Sequence, residues 1–385
     1  MRGVSLLRQP PAGSPIGFAE LWTLSRERYP ERSLASLLEQ RLGRSPVSFH
    51  ASGREALRVA LTRLAAQRER GEVLVPAYTC YSVPAAAVAA GLRVRLVDVG
   101  PRGQIDVERL RTAPLERAAA LVVTNLFGVA EPVREARELL RDAGAALVDD
   151  AAQALGATSP DGAAGARGDL GVLSFGRGKP LSGLGGGALV GGAADGADAA
   201  PSARRGAALL RALAYDVARA PLVFRWLALV PFLHVGETSF DPAFRRGPID
   251  GSALSLAAAA LARFDDDARA RAGRAAVLAE RIEAETRFEP IRPGAGATGV
   301  FPRLALLAPT PRARDAALAR LRDLGATLLY PASLDAVPGL RPHLADPSDC
   351  EGARSLAARL LTLPTHAGLA GARLERAVRA LAESA

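Results

Sequence analysis

Two neighbouring stretches decide the fold: VDDAAQALGA at residues 148–157 and GDLGVLSFGRGKPLSGLGGGALV at residues 168–190. In the first, an apolar run stops at two acids, Asp149 and Asp150, and turns polar. In the second, the run GVLSF enters a glycine-rich turn that holds Lys179, 29 residues after Asp150. Short, fully apolar runs bounded by turn residues read as strands buried on both faces. Working outward, EVLVPAY (72–78), RVRLVDV (93–99), ALVVTNLFG (120–128) and GGGALVGG (185–192) have the same form. Helical patterns lie between them. Ser52 and Glu55 have capping-box spacing and open a helix with Leu57, Leu61 and Leu64 on one side, expected to end at Gly71. Residues 84–90 and 131–143 are two further helices. Strand–helix alternation of this kind means βαβ units and a mostly parallel sheet, the α/β class.

The remainder divides the 385 residues into three regions. Residues 1–45 form a proline-containing N-terminal arm with a short helix. Residues 46–250 form the large domain. Residues 251–385 form a smaller α/β domain, with a long charged helix from about 265, a strand near GVFPRLALLA (299–308), a helix over 312–324, a strand ATLLY (326–330) and a last helix over 370–383. Inside the large domain, 205–240 is an apolar, insert-like segment. Its core, 207–233, contains Arg211, Asp216, Arg219, Arg225, Pro221 and Pro231, and so fails as a membrane span, which needs about 20 nearly uncharged residues. A buried helical pair or a dimer contact reads ahead of a segment lying in a membrane interface. The N-terminal apolar run is too short for a signal peptide, and a cytoplasmic location is expected.

Composition narrows the chemistry. Lys and Arg total 49, and only Lys179 is lysine. Arginine replaces lysine as a solvated cation but not as an amine that attacks a carbonyl, so the imbalance points at Lys179. The net charge of +9 invites a nucleic-acid reading, but the arginines are scattered among acids and aromatics are 5%, which favours a solvated surface that attracts anionic substrates. Two cysteines and four dispersed histidines have no metal-ligand spacing, so no metal is expected. GLGGGA (183–188) precedes a strand rather than a helix, which rejects a dinucleotide fingerprint. GRGKPLS (176–182) has Leu173 where a P-loop needs glycine and Pro180 where it needs Ser or Thr.

Pyridoxal phosphate fits what is left. It needs an amine to bond its aldehyde, a carboxylate to keep its pyridine nitrogen protonated, and a helix start for its phosphate. Lys179, Asp150 and the helix opening at Ser52 supply these at strand ends and helix starts, the usual ligand side of an open α/β sheet.

The two opening stretches, with SGREAL (52–57), VLVPAYTC (73–80), RVRLVDV and LTLPTH (361–366) in that order, resemble the DegT/DnrJ/EryC1/StrS family of pyridoxal phosphate-dependent sugar aminotransferases. The resemblance implies a fold-type-I transferase, a homodimer, and transfer of an amino group, from glutamate, to a keto-sugar nucleotide for polysaccharide or glycoconjugate biosynthesis. It implies Lys179 as the catalytic lysine, Asp150 at the pyridine nitrogen, Gln153 near the ring hydroxyl, and Ser174, Gly53 and Arg54 at the phosphate. Cys80 or Tyr81 would cover the ring, where the family usually has an aromatic. The family's G-x-N-x-R segment is replaced by FRRGPIDGSALS (244–255). That departure and the 205–240 segment keep two alternatives open: a pyridoxal phosphate enzyme acting on another ketone or amino acid, and a non-catalytic regulatory homologue.

Overall fold

The computed structural model describes residues 7–13, 16–26, 30–192, 205–229, 238–347 and 349–385. Two helices lead in, α1 (Phe18–Arg26) and α2 (Pro30–Leu42). Leu34 and Leu38 of α2 are fully buried against Phe175 and Leu254, so the expected arm is part of the large domain's wall.

The chain then alternates: β1 (Val47–His50), α3 (Gly53–Arg68), β2 (Glu72–Pro76), α4 (Ser82–Ala89), β3 (Arg93–Val97), α5 (Val107–Arg111), β4 (Ala118–Thr124), α6 (Arg134–Asp142) and β5 (Ala146–Asp150). A two-strand hairpin, β6 (Thr158–Ser159) and β7 (Gly162–Ala163), precedes β8 (Leu170–Ser174) and β9 (Gly187–Val190). The seven-stranded sheet has the order β1-β9-β8-β5-β4-β2-β3. Pairing is parallel from β8 through β5, β4 and β2 to β3, and antiparallel on both sides of β9. Every residue of β4 and β5 is buried, as a parallel sheet covered on both faces requires.

Helix α3 buries Leu57, Leu61 and Leu64 as expected, but it ends at Glu69, in the left-handed conformation (φ 53°), rather than at Gly71. Only half of the capping box forms. The Ser52 hydroxyl accepts from the Glu55 amide (3.1 Å), while the Glu55 carboxylate turns to Arg58 (2.7 and 2.9 Å) and the Gly247 amide.

After β9 come α7 (Arg205–Arg219), α8 (Pro221–Leu227), α9 (Gly251–Leu261) and α10 (Phe264–Glu285). The expected boundary between residues 250 and 251 is displaced by packing. Ala253, Leu254 and Ala257 of α9 and Phe264 of α10 share a core with Phe175, whereas Leu278, Ala279 and Ile282 of α10 pack against Leu304 and Leu361. One continuous helix spans both domains, so the division falls within α10. The small domain adds β10 (Glu289–Pro290), β11 (Arg303–Leu307), α11 (Pro311–Leu321) with a 3-10 turn to Leu324, α12 (Glu351–Arg359), β12 (Leu360–Pro364) and α13 (Ala372–Ala382). Its antiparallel sheet runs β10-β11-β12. The expected strand ATLLY is not one: only Thr327 bridges to Thr362, because Leu329 adopts φ 63° ahead of Pro331 and turns the chain inward. The 205–240 segment is not a buried pair either. Its helices lie on the surface with apolar side chains outward, and residues 230–237 lie outside the described residues.

Candidate active site

Asp149 and Asp150 end β5 and point to opposite faces of the sheet, as successive strand residues must. Asp149 is fully buried and forms an ion pair with buried Arg167 (2.8 Å). It also accepts from Asn125 Nδ2 (2.7 Å) and the Gly165 amide (2.8 Å). Arg167 in turn donates to the Asn125 side chain (2.6 Å), and Asn125 grips the Asp150 carbonyl through its backbone and side-chain N–H groups (3.0 and 2.8 Å). This cluster fixes the strand end and leaves the Asp150 side chain facing the other way.

There Asp150 borders a cleft of about 370 Å³ that Lys179, Ser174, Ser52, Gly53, Arg54 and Cys80 also line, with Thr238, Phe244 and Arg245 on one side. Burial pushes the Asp150 carboxyl up to about 6, against the opposing pull of the Ala152 amide and the Lys179 charge; Asp149 adds to the rise. One oxygen, Oδ1, accepts from Ala152 (2.9 Å); Oδ2 has no donor among the described residues.

The opposite wall is the start of α3. A Cβ on Gly53 would stand 2.7 Å from Ser174 Cβ and 3.1 Å from the Leu173 carbonyl, and one on Gly187 would stand 2.3 Å from the Gly53 nitrogen. Glycine at both positions lets the helix start press against the ends of β8 and β9. The positive end of a 16-residue helix thus meets the cleft beside Ser174, an arrangement suited to a phosphate. Arg54 is held over this rim by the Asp241 carbonyl (3.1 Å) and the Phe244 ring (5.1 Å).

Six of the eight expected site residues therefore line one cleft: Lys179, Asp150, Ser174, Gly53, Arg54 and Cys80. Gln153 and Tyr81 lie outside that lining. Gln153 accepts from the Phe127 amide (3.2 Å) and donates to the Tyr330 hydroxyl (2.9 Å). The Tyr81 hydroxyl is engaged with both backbone groups of Ala332 (3.0 Å each), which ties the large domain to the small one and leaves Cys80 as the residue facing the cleft. Cys80 contacts the Ser82 hydroxyl (2.8 Å) and lies beside Tyr330.

Tyr330 is the residue the sequence reading missed. It is fully buried, and burial holds its phenol well above the ordinary value. It reaches from the small domain to Cys80 and Gln153 at once. Arg245 lines the cleft, in the segment that replaces the family's G-x-N-x-R. Among the described residues no cluster of metal-ligating side chains occurs, and no helix is long and apolar enough to cross a membrane.

The fold is that of aminotransferases. A DegT DnrJ EryC1 StrS aminotransferase from Brucella abortus superimposes with a TM-score of 0.72 over 95% of both chains at 22% identity. A Streptococcus pneumoniae protein solved in its PLP form superimposes with a TM-score of 0.76, covering 98% of both chains at 17% identity. The stretch from residue 30 to residue 204, which holds every expected site residue, matches the model of the DegT/DnrJ/EryC1/StrS aminotransferase family. Aminotransferases of that family depend on pyridoxal phosphate. A curated relative, UDP-4-amino-4,6-dideoxy-N-acetyl-beta-L-altrosamine transaminase of Campylobacter jejuni, is 32% identical over 142 residues, which are 36% of this chain and 37% of the relative. The chain matches about a third of the length of the first such relatives.

Proposed function

We propose that the chain is a pyridoxal phosphate-dependent aminotransferase that moves an amino group from glutamate to a keto-sugar carried on a nucleotide. The observation that carries the reading is the shared cleft: the chain's one lysine and a buried strand-end carboxylate, with one oxygen free of donors among the described residues, border the same space, beside a helix start. The residues fit the cofactor. A buried carboxylate lifted to about 6, with Oδ2 unpaired among the described residues, is suited to a protonated ring nitrogen, which repays its burial. When bound, the cofactor supplies an aldehyde carbon for an amine and a protonated ring that draws electrons from the bond so formed.

The roles of the chain's own groups follow. Lys179 Nζ anchors the cofactor and moves a proton to and from the substrate carbon. Asp150 holds the ring proton. The α3 start, Ser174 and Arg54 bind phosphate, and Gly53 allows that approach. Cys80 borders the ring, with Tyr330 behind it; Tyr81 and Gln153 brace that side through Ala332, Phe127 and Tyr330. Arg245 adds positive charge at the rim, consistent with a nucleotide diphosphate. The name of the Campylobacter relative, a transaminase of a UDP-sugar, supports this substrate class. A homodimer in the cytoplasm, serving polysaccharide or glycoconjugate synthesis, completes the proposal.

The test is incubation of the cofactor-loaded protein with glutamate and a panel of keto-sugar nucleotides, read by product mass. An amino-sugar nucleotide formed by wild type and not by Lys179→Ala supports the reading. Turnover of another ketone with none of the panel overturns the substrate class, and no turnover in either set overturns the activity.

A further inference from the structure

The 205–229 region inverts the usual surface pattern. Every residue of 206–229 that is exposed is Gly, Ala, Leu, Val or Trp. Leu210, Leu213 and Val217 on α7 are 70%, 52% and 62% exposed, and Leu222, Trp226 and Leu229 in and after α8 are 53%, 62% and 58% exposed. Their spacing on α7 sets them along one outward stripe. Arg211, Asp216, Arg219 and Arg225 are only partly exposed, and three of them turn inward. Arg211 pairs with Asp250 (3.0 Å), Asp216 accepts from the Ile16 amide (3.1 Å), and Arg219 donates to the Gly13 carbonyl (3.0 Å). The inward face of α7 is Ala208 and Ala212, both fully packed.

We infer that α7 and α8 form a docking face for an anionic lipid bilayer, on which the protein lies without crossing. Contiguous apolar exposure of this kind marks an interaction site, and three observations select lipid over a second copy. Of Leu210, Leu213, Val217, Leu222, Trp226 and Leu229, only Trp226 carries a hydrogen-bonding group, its indole N–H, whereas protein interfaces carry about one hydrogen bond per 100–200 Å². Both tryptophans of the chain are exposed, and each has an arginine beside it: Arg26 stands 4.0 Å over Trp22 and Arg225 6.0 Å over Trp226. Paired tryptophan and arginine suit the boundary between headgroups and acyl chains. The chain also carries +9, which draws an anionic leaflet. The residues involved are not those of the cleft, so the inference stands apart from the proposed activity.

The test is sedimentation of the full chain, loaded with cofactor, with phosphatidylcholine vesicles with and without phosphatidylglycerol. The expected result is binding that rises with phosphatidylglycerol, falls with salt, and drops about tenfold or more in Leu210→Ser/Leu213→Ser/Val217→Ser. The exposed Val277→Ser on α10 should bind as wild type does. In a Trp22→Phe chain, Trp226 emission should shift to the blue on addition of the anionic vesicles. Circular dichroism of the triple variant controls for folding. Equal sedimentation with both vesicle types, or unchanged binding by a folded triple variant, overturns the inference. So does a wild type that is dimeric and ignores vesicles while the triple variant is monomeric, since the face would then join two copies.

Discussion

Replacing Asp150 by asparagine should stabilise the cofactor-free protein while weakening its grip on the cofactor. Burial raises the carboxyl from 3.8 to about 6, so the ionised form burdens the fold above that pH. The folded state binds the proton more tightly than the unfolded chain, so stability falls as pH rises from about 4 to about 6, and the full cost is present at pH 7.5. That difference corresponds to about 3 kcal/mol. Spread over the unfolding entropy of 385 residues, that is a rise in Tm of about 4 °C for Asp150→Asn. Asparagine keeps an oxygen for the Ala152 amide, so the substitution removes the charge and little else. Thermal melts of both cofactor-free proteins at pH 7.5 and pH 4.5 separate this group from Glu131, which burial also raises, to about 7, and which titrates identically in both. The variant should lead by about 4 °C at pH 7.5 and by far less at pH 4.5. Pyridoxal phosphate titrated by absorbance should bind the variant at least about tenfold more weakly, since the ring proton loses its anionic partner. A variant that melts below wild type at pH 7.5, or with a lead equal at both pH values, would refute the reasoning that Asp150 is a charge held in readiness for a ligand.

Gly53→Ala should cost about 1–3 kcal/mol and lower cofactor affinity, because the new methyl meets Ser174 Cβ at 2.7 Å and pushes α3 off the strand ends; melts and absorbance titration read both. Arg167→Ala takes the cationic partner from a fully buried Asp149, and should destabilise by about 3–5 kcal/mol, measured by urea unfolding. Tyr330→Phe removes the hydroxyl from Gln153; it should cost about 1 kcal/mol and shift the visible band of bound cofactor while phosphate affinity holds. An unchanged spectrum would assign Tyr330 to packing alone.

The legible part of the site was the part whose chemistry is local. Strands β4, β5 and β8 are buried on both faces and so carry continuous apolar runs, and the acids and lysine that follow them stand at the ligand edge by topology alone. The lone lysine among arginines marked itself. Tyr330 was hidden because its partners, Cys80 and Gln153, are far away in sequence and its own surroundings, ATLLYP, look like a strand until the left-handed turn at Leu329 is seen. The domain boundary was hidden because α10 crosses it without a break; only the change of packing partner from Phe175 to Leu304 marks it. The side that α7 and α8 show to solvent depends on which charges find partners ahead of α1 and at the cap of α9, and hydropathy does not reveal that. Asp149 and Asp150, adjacent and chemically alike, separate into a structural anchor and a cleft-facing carboxylate only through the alternation of the strand.

The central claim, that the Lys179 amine bonds the aldehyde of a ring held by Asp150, is most directly tested by reductive trapping. Pyridoxal phosphate is bound near neutral pH, borohydride is added, and the digested peptides are weighed. The chain's single lysine makes the readout sharp: the prediction is near-stoichiometric pyridoxyl mass on the Lys179 peptide in wild type and much less in Asp150→Asn. Label confined to the N-terminal amine, or none at all, would contradict it.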